Sequence, residues 1–303
     1  MASFYEKFVA FGVDNDYMKY VDYIPGHWTD YSSSSSSSDS AGLERLLRLF
    51  QSACLILTSY PPLVATLLPS SWPSSSHLAV ETSLRQLQSR FNITRRWLRL
   101  FRFLEPLQAG WRLYRAENKT LEMWVDAHAK TCFGMFGLLE SVTLFDLIDV
   151  DHLEIWGREM AVQINVDAQR FWFIALYLSA LSSGIKLFRI FSSSRSKQEQ
   201  AAEVIEDEKD AKRDDKQGEK LSVEEKVKEE RKRRKQELAK INQMTTQHGL
   251  DLLASLLDLV IPASILGWVD VAPILVGLAM FTTSIITGAA VWKRSARQLE
   301  QRA

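Results

Sequence analysis

Val271 to Trp292 reads VAPILVGLAMFTTSIITGAAVW, a run of 22 residues without a charge. Wound as an α-helix, that run is about 33 Å long at 1.5 Å per residue, which matches one hydrocarbon thickness. Trp292 closes it, and Lys293, Arg294 and Arg297 follow. An aromatic anchor next to a basic flank is the exit signature of a transmembrane helix, and it predicts a cytosolic C-terminus. The preceding stretch, Leu252 to Val269, is also apolar, with Asp258, Pro262 and Gly267 dividing it. The two stretches predict a C-terminal membrane hairpin turning through Gly267 to Pro273, so residues 250–303 form one unit with a basic tail.

Upstream the composition changes abruptly. From Arg195 to Lys240, 29 of 46 residues are charged, 15 basic and 14 acidic. Such a segment buries no core, so 192–249 is expected to be a charged, flexible linker, partly a single helix with i,i+4 ion pairs. Before it, Phe171 to Ile185 (FWFIALYLSALSSGI) is uncharged for fifteen residues. That is short for a span. Snorkelling by Lys186 and Arg189 would extend it to Phe191; a buried helix is the alternative. Residues 121–148 form another apolar helix, interrupted by Glu122, Asp126, Lys130, Glu140 and Asp146. Those charges argue for packing against neighbours, and Gly134 and Gly137 would allow close contact.

The segment from Leu78 to Tyr114 is the most amphipathic, with Pro106 as its expected break. Leu84, Leu87, Phe91, Trp97, Leu98, Phe101 and Leu104 fall on one broad side of a helical wheel. Arg85, Arg95, Arg96, Arg99 and Arg102 fall on the other. A basic helix of this kind lies in the headgroup plane, apolar face in the acyl boundary and arginines on anionic lipid phosphates. Leu87, Phe91, Trp97, Leu98 and Phe101 are the expected inserting residues; the five arginines are the expected headgroup contacts. Gly42 to Tyr60 is a further helix, with Leu43, Leu46, Leu47, Phe50 and Cys54 on one stripe and Pro61-Pro62 as its stop. Residues 41–191 thus read as a helical membrane-associated region. Residues 1–40 are an aromatic N-terminal segment ending in the serine run Ser32 to Ser38.

Function classes are narrowed by what is missing. Lys plus Arg and Asp plus Glu are both 37, so no global charge favours nucleic acid. The sequence contains no glycine-rich phosphate loop, dinucleotide fingerprint or nucleophile elbow. The histidines are scattered, and Asp149 to His152 reads as a polar turn rather than a metal site. Cys54 and Cys132 make neither a disulfide framework nor a zinc site. The first ten residues lack the apolar core of a secretory signal. No catalytic residue, metal or cofactor is expected; the reading is an all-α integral membrane protein that shapes its membrane. A channel or carrier using Asp258, Asp270, Glu140 and Asp146 is one alternative. A peripheral adaptor docking through 195–240 is another.

Four blocks carry a family likeness. Gly42 to Gln51 (GLERLLRLFQ) resembles the first helix of the peroxin-eleven family of peroxisomal membrane proteins. Thr94 to Gln108 (TRRWLRLFRFLEPLQ) resembles its amphipathic helix, and Arg170 to Phe188 the aromatic helix before its variable loop. Leu257 to Thr287 resembles its terminal hairpin with an Ile-Pro-x-x-x-x-Gly-Trp centre. The long N-terminus and charged linker mark a divergent, fungal-type member. The resemblance implies a peroxisomal membrane location and a role in elongation, proliferation and division of peroxisomes. It also implies homo-oligomerisation, contact with organelle fission machinery, and a proposed metabolite-permeation role. A tagged chain is expected to coincide with a peroxisomal membrane marker and to stay in the membrane pellet on alkaline carbonate extraction; release into the supernatant would remove the spans.

Overall fold

The computed structural model describes residues 38–67, 74–117, 120–148, 152–211 and 220–302. The aromatic N-terminal segment and its serine run fall outside these, as does most of the Asp149 to His152 turn. Every regular element among the described residues is helical. In chain order these are α1 (Ser38–Ser59), α2 (Pro61–Leu67), α3 (Ser74–Leu98), α4 (Leu104–Arg115) and α5 (Leu121–Val142). A 3-10 turn (Phe145–Leu147) precedes α6 (Arg158–Ala211), α7 (Lys220–Ile265) and α8 (Pro273–Arg302).

Local chemistry sets the boundaries. Pro61 opens α2, where its missing N–H is unneeded. Thr120 caps α5, its hydroxyl accepting from the Met123 N–H at 3.4 Å. The long amphipathic segment breaks at 99–103, before Pro106. Phe101 takes φ 64° there, and Pro106 falls in the first turn of α4, where a proline is tolerated. α7 ends in a Schellman motif: Gly267 has φ 70°, its N–H donates to Ser264 O at 3.1 Å, and the Trp268 N–H reaches Ala263 O at 3.0 Å. That motif makes the expected hairpin turn into α8. The segment read as a linker is helical where described, as the end of α6 and the first half of α7.

Among the described residues, three helical stretches are long and apolar enough to cross a bilayer: Arg158–Ser193, Leu238–Ile265 and Pro273–Trp292. The first contains the short uncharged run Phe171 to Ile185, which flanking residues extend on both sides. The protein is therefore a helical membrane protein, and its C-terminal pair is the expected hairpin.

The helices pack in the order α3, α1, α8, α7, α6, α5, α4. α3 and α4 adjoin in the chain, and Arg99 of the α3–α4 turn reaches Glu140 of α5 at 2.8 Å, so the sequence of neighbours closes into a ring. Small residues make the seams. On α6, Ala161, Ala168, Ala175 and Ser182 recur every seven residues and are all fully buried. Side chains this small let helix backbones approach, the usual basis of packing in membranes. A Cβ on Gly134 of α5 would overlap the Leu107 side chain of α4. One on Gly277 of α8 would sit 2.9 Å from Ile56 Cγ1 of α1. The apolar stripe of α1 is split, with Leu46 and Phe50 exposed, Leu43 and Leu47 half-buried and Cys54 buried, while Glu44, Arg48, Gln51 and Ser52 are buried. Large apolar side chains such as Tyr177, Phe188, Leu256 and Leu275 likewise face outward from the spans.

Ala175→Leu is expected to wedge the α6 seam open and destabilise the fold by about 1–3 kcal/mol, the usual cost of overpacking. Tyr177→Leu, on the outward face, is expected to leave the thermal midpoint in detergent unchanged. Equal midpoints for the two variants would contradict the seam.

Candidate functional site

Two features stand out together: a chain of charged residues inside the ring, and a set of large apolar side chains exposed among polar ones on the outside of α3 and α4. Arg48 of α1 donates both terminal nitrogens to Asp258 of α7, one at 3.1 Å and the other closer. The Thr283 hydroxyl of α8 donates to the same carboxylate at 2.7 Å. One carboxylate thus ties both arms of the C-terminal hairpin to α1. One turn earlier on α1, Glu44 accepts from Arg95 of α3 at 2.8 and 3.1 Å. Arg95 also donates to Gln51 at 2.5 Å. Arg99 donates to Glu140 of α5 at 2.8 Å and lies 5.9 Å from the Phe136 ring centre, while Arg96 approaches the same carboxylate at 3.5 Å.

Electrostatics follow from this crowding. Burial pushes the Glu44 carboxyl up, but Arg45, Arg95 and Arg99 pull it further down, and it is held well below the usual carboxylate range. Burial draws the Arg95 guanidinium down to about 10, with Arg99 adding to the effect and Glu44 opposing it. Glu44 is therefore ionised and Arg95 protonated at neutral pH, and the pair persists as ions.

The expected site residues divide. Leu87, Trp97 and Phe101 are exposed on the outer surface. Phe91 and Leu98 are half-buried, with Phe91 stacked on Phe50 of α1 at 6.1 Å between ring centres. Trp97 meets Phe145 edge-on at 5.7 Å. Of the arginines expected on headgroups, Arg85 is exposed and paired with Glu81 at 2.8 Å. Arg95, Arg96 and Arg99 instead point into the ring. Each finds a carboxylate there, because an unpaired charge at an apolar interface is the costlier arrangement. Arg102 is half-buried and lines an internal cleft. Of the carboxylates weighed for a permeation path, Asp258 and Glu140 serve ion pairs. Asp146 accepts from the Ile155, Trp156 and Gly157 N–H groups at 2.8 to 3.0 Å, and Asp270 is exposed in the hairpin turn.

Sequence reasoning missed Glu44, Arg48 and Gln51 as partners, and an aromatic cluster at the α4–α5 tip. Trp111 stacks on Tyr114 at 5.9 Å, and Tyr114 meets Trp124 edge-on at 5.7 Å. Arg115 lies 5.3 Å from the Trp111 ring centre. Arg189 and Lys186 of α6 donate to Glu122 and Asp126 of α5 at 3.0 Å, holding this tip level with the end of the first span. The tip's spacing of large aromatics was visible; the ion pairs that fix its height were not. Among the described residues, no group of three or more His, Cys, Asp or Glu is placed to hold a metal.

Beyond geometry, a family model described as Peroxisomal biogenesis factor 11 (PEX11) matches residues 33–292. No curated protein and no solved structure matches the chain.

The depressed Glu44 carboxyl fixes the sign of an acid response. An unfolded chain takes up this proton near the ordinary value of 4.5 and the folded one resists it, so the contribution is complete above that pH and falls away below it. Glu44→Gln is expected to lower stability at neutral pH by about 3 kcal/mol, as for a broken buried pair. It should also flatten the loss of stability between about pH 5 and 3. Parallel acid unfolding curves for variant and wild type would rule out Glu44 as the sensitive group.

Proposed function

Since the chain belongs to the peroxisomal biogenesis factor 11 family, we propose that it promotes elongation and division of the peroxisome by pressing the outer face of α3 and α4 into one leaflet. The family is one of biogenesis factors rather than enzymes, and its role in peroxisome proliferation applies to this chain as a peroxisomal membrane protein. The observation that carries the finer reading is the set Leu87, Trp97, Phe101, Leu104 and Trp111, exposed along α3, α4 and the turn between them while Arg95, Arg96 and Arg99 are tied inward. A surface of large apolar side chains of this kind belongs in lipid. Embedded in one leaflet only, it expands that leaflet and favours curvature. The ion pairs to α1 and α5 connect α3 rigidly to the spans, so the wedge cannot swing out of the bilayer independently of them.

Headgroup contact falls to the arginines left at the rim. Arg85 and Arg90 flank the wedge on α3; Arg112 and Arg115 do so on α4, and all four are exposed. Association of copies in the membrane concentrates wedges and sums their curvature, and anionic peroxisomal lipids and the organelle's fission machinery are the partners this reading calls for. The basic tail after Trp292 sets the C-terminus on the cytosolic side.

The test is the triple variant Leu87→Gln, Trp97→Gln, Phe101→Gln. At roughly 1.5–3 kcal/mol for each large apolar side chain, it removes about 5 kcal/mol or more of insertion energy. Peroxisomes in cells overexpressing the variant are expected to remain few and round, with the protein still in the organelle membrane. Liposomes carrying it are expected to stay spherical where the wild type draws tubules. Elongation equal to the wild type would exclude the wedge. A defined unit conductance in planar bilayers, without vesicle deformation, would favour a channel instead.

A further inference from the structure

The ring of helices encloses a cleft of about 410 Å³ that the wedge reading does not use. Its walls carry six cationic side chains: Arg45, Arg48, Arg95, Arg99, Arg102 and Lys130. They carry four carboxylates: Glu44, Glu105, Glu140 and Asp258. Glu44 is paired with Arg95 and, at 3.6 Å, with Arg45; Glu140 is paired with Arg99 and Asp258 with Arg48. The formal balance is two positive charges in excess, in a space lined on its other sides by Phe133, Phe136, Trp172 and Leu176. Burial lowers the Arg45 pKa, Glu44 and Asp258 oppose this, and Arg48 and Arg102 add to it. Surplus positive charge in a place of low dielectric calls for a group that carries negative charge.

We propose that this cleft binds a phosphate group, held by Arg45, Arg102 and Lys130. A phosphate monoester offers up to two negative charges and several acceptor oxygens, which suits donors converging from α1, the α3–α4 turn and α5. A single-point anion such as chloride satisfies the charge but not the spread of donors. Glu105, the exposed one among the charged lining residues, follows the exposed Phe101 and Leu104 in the chain. The cleft therefore opens at the turn that carries the wedge, and both a lipid headgroup and a phosphate in solution have a way in. Occupancy would link α1, the α3–α4 turn and α5 through one anion, whether or not α3 acts as a wedge.

Thermal unfolding of the full-length protein in phosphatidylcholine nanodiscs tests this. The additions are sodium phosphate, sodium chloride at matched ionic strength, and phosphatidic acid in the disc. The double variant Arg102→Gln, Lys130→Gln removes two cleft cations that hold none of Glu44, Glu140 and Asp258. Arg158→Gln, on the exposed start of α6, is the control outside the cleft. Wild type and control are expected to gain about 2–4 °C saturably with phosphate or phosphatidic acid, and the double variant none. A gain with inorganic phosphate assigns a free anion, and a gain with phosphatidic acid alone assigns a headgroup; each supports the site. No saturable gain with either, a gain matched by chloride, or an equal gain in the double variant overturns it. These outcomes leave vesicle deformation untouched, so this site and the wedge fail separately.

Discussion

Asp258 sits in the middle of an apolar helix, and much of the architecture follows from having to satisfy it. A carboxylate in that setting is several kcal/mol out of place unless it is both paired and fully hydrogen-bonded. Arg48 supplies the charge and Thr283 the remaining donor, so three helices from opposite ends of the chain meet at one side chain. Arg48 sits one turn from Glu44, which needs its own cation and takes Arg95. Arg95 is one turn from Arg99, which needs an anion and takes Glu140. Each pairing fixes the position of the next charge along its helix. The ring is held by a relay of compensated charges running α7, α1, α3, α5, with small-residue seams between them.

This relay also explains which parts of the molecule were legible in its sequence. The helices are, because their periodicity and breakers depend only on local geometry: the Pro61-Pro62 stop, the Gly267 turn and the uncharged run to Trp292 fall where expected. Which face of each helix is inside is less legible. A stripe such as Leu43, Leu46, Leu47 and Phe50 has the same spacing whether it covers a protein core or meets lipid, and on α1 the charged side is the packed one. In water the apolar stripe turns inward; in a bilayer the hydrophobic effect no longer separates protein from solvent, and polar residues gather where they find partners. The seven-residue recurrence of Ala161, Ala168, Ala175 and Ser182 is written plainly in the sequence, yet small residues carry little hydropathy and escape a search for stripes. The pairing of Glu44 with Arg95, or Arg48 with Asp258, spans far too much chain for any local pattern to report.

The α3 segment shows how one sequence pattern serves two environments. Its wheel has an apolar half and a basic half, which alone describes a helix lying on an anionic surface. The basic half, though, is matched by Glu44 on one neighbour and Glu140 on another, and three of its arginines turn to them. What remains outward is mixed: Leu87 and Trp97 stand among Thr82, Ser83, Arg85, Gln86, Ser89, Arg90 and Thr94. The docked helix therefore keeps polar side chains beside large apolar ones on its free side, while half of its arginines serve the packing. Amphipathicity here supplies contacts to α1 and α5 as much as an outer face.

Rigidity is the mechanical counterpart of that arrangement. A helix that only adsorbs can tilt, slide or leave when a leaflet is compressed, and then stores little curvature. Here Arg95 and Arg99 fix α3 to helices that pack against the spans. Leu107 against Gly134 fixes α4 in the same way. At the far side Arg189 and Lys186 hold the aromatic α4–α5 tip level with the end of the first span. Helices α3, α4 and α5 are thus braced against the spans rather than loosely attached. On the proposed wedge reading, pressure from the bilayer on them would pass through the buried ion pairs to α1, and from α1 through Asp258 to the terminal hairpin. A lipid-facing wedge needs an anchor stiffer than the membrane it bends, and in that reading the interior charges would supply the connection.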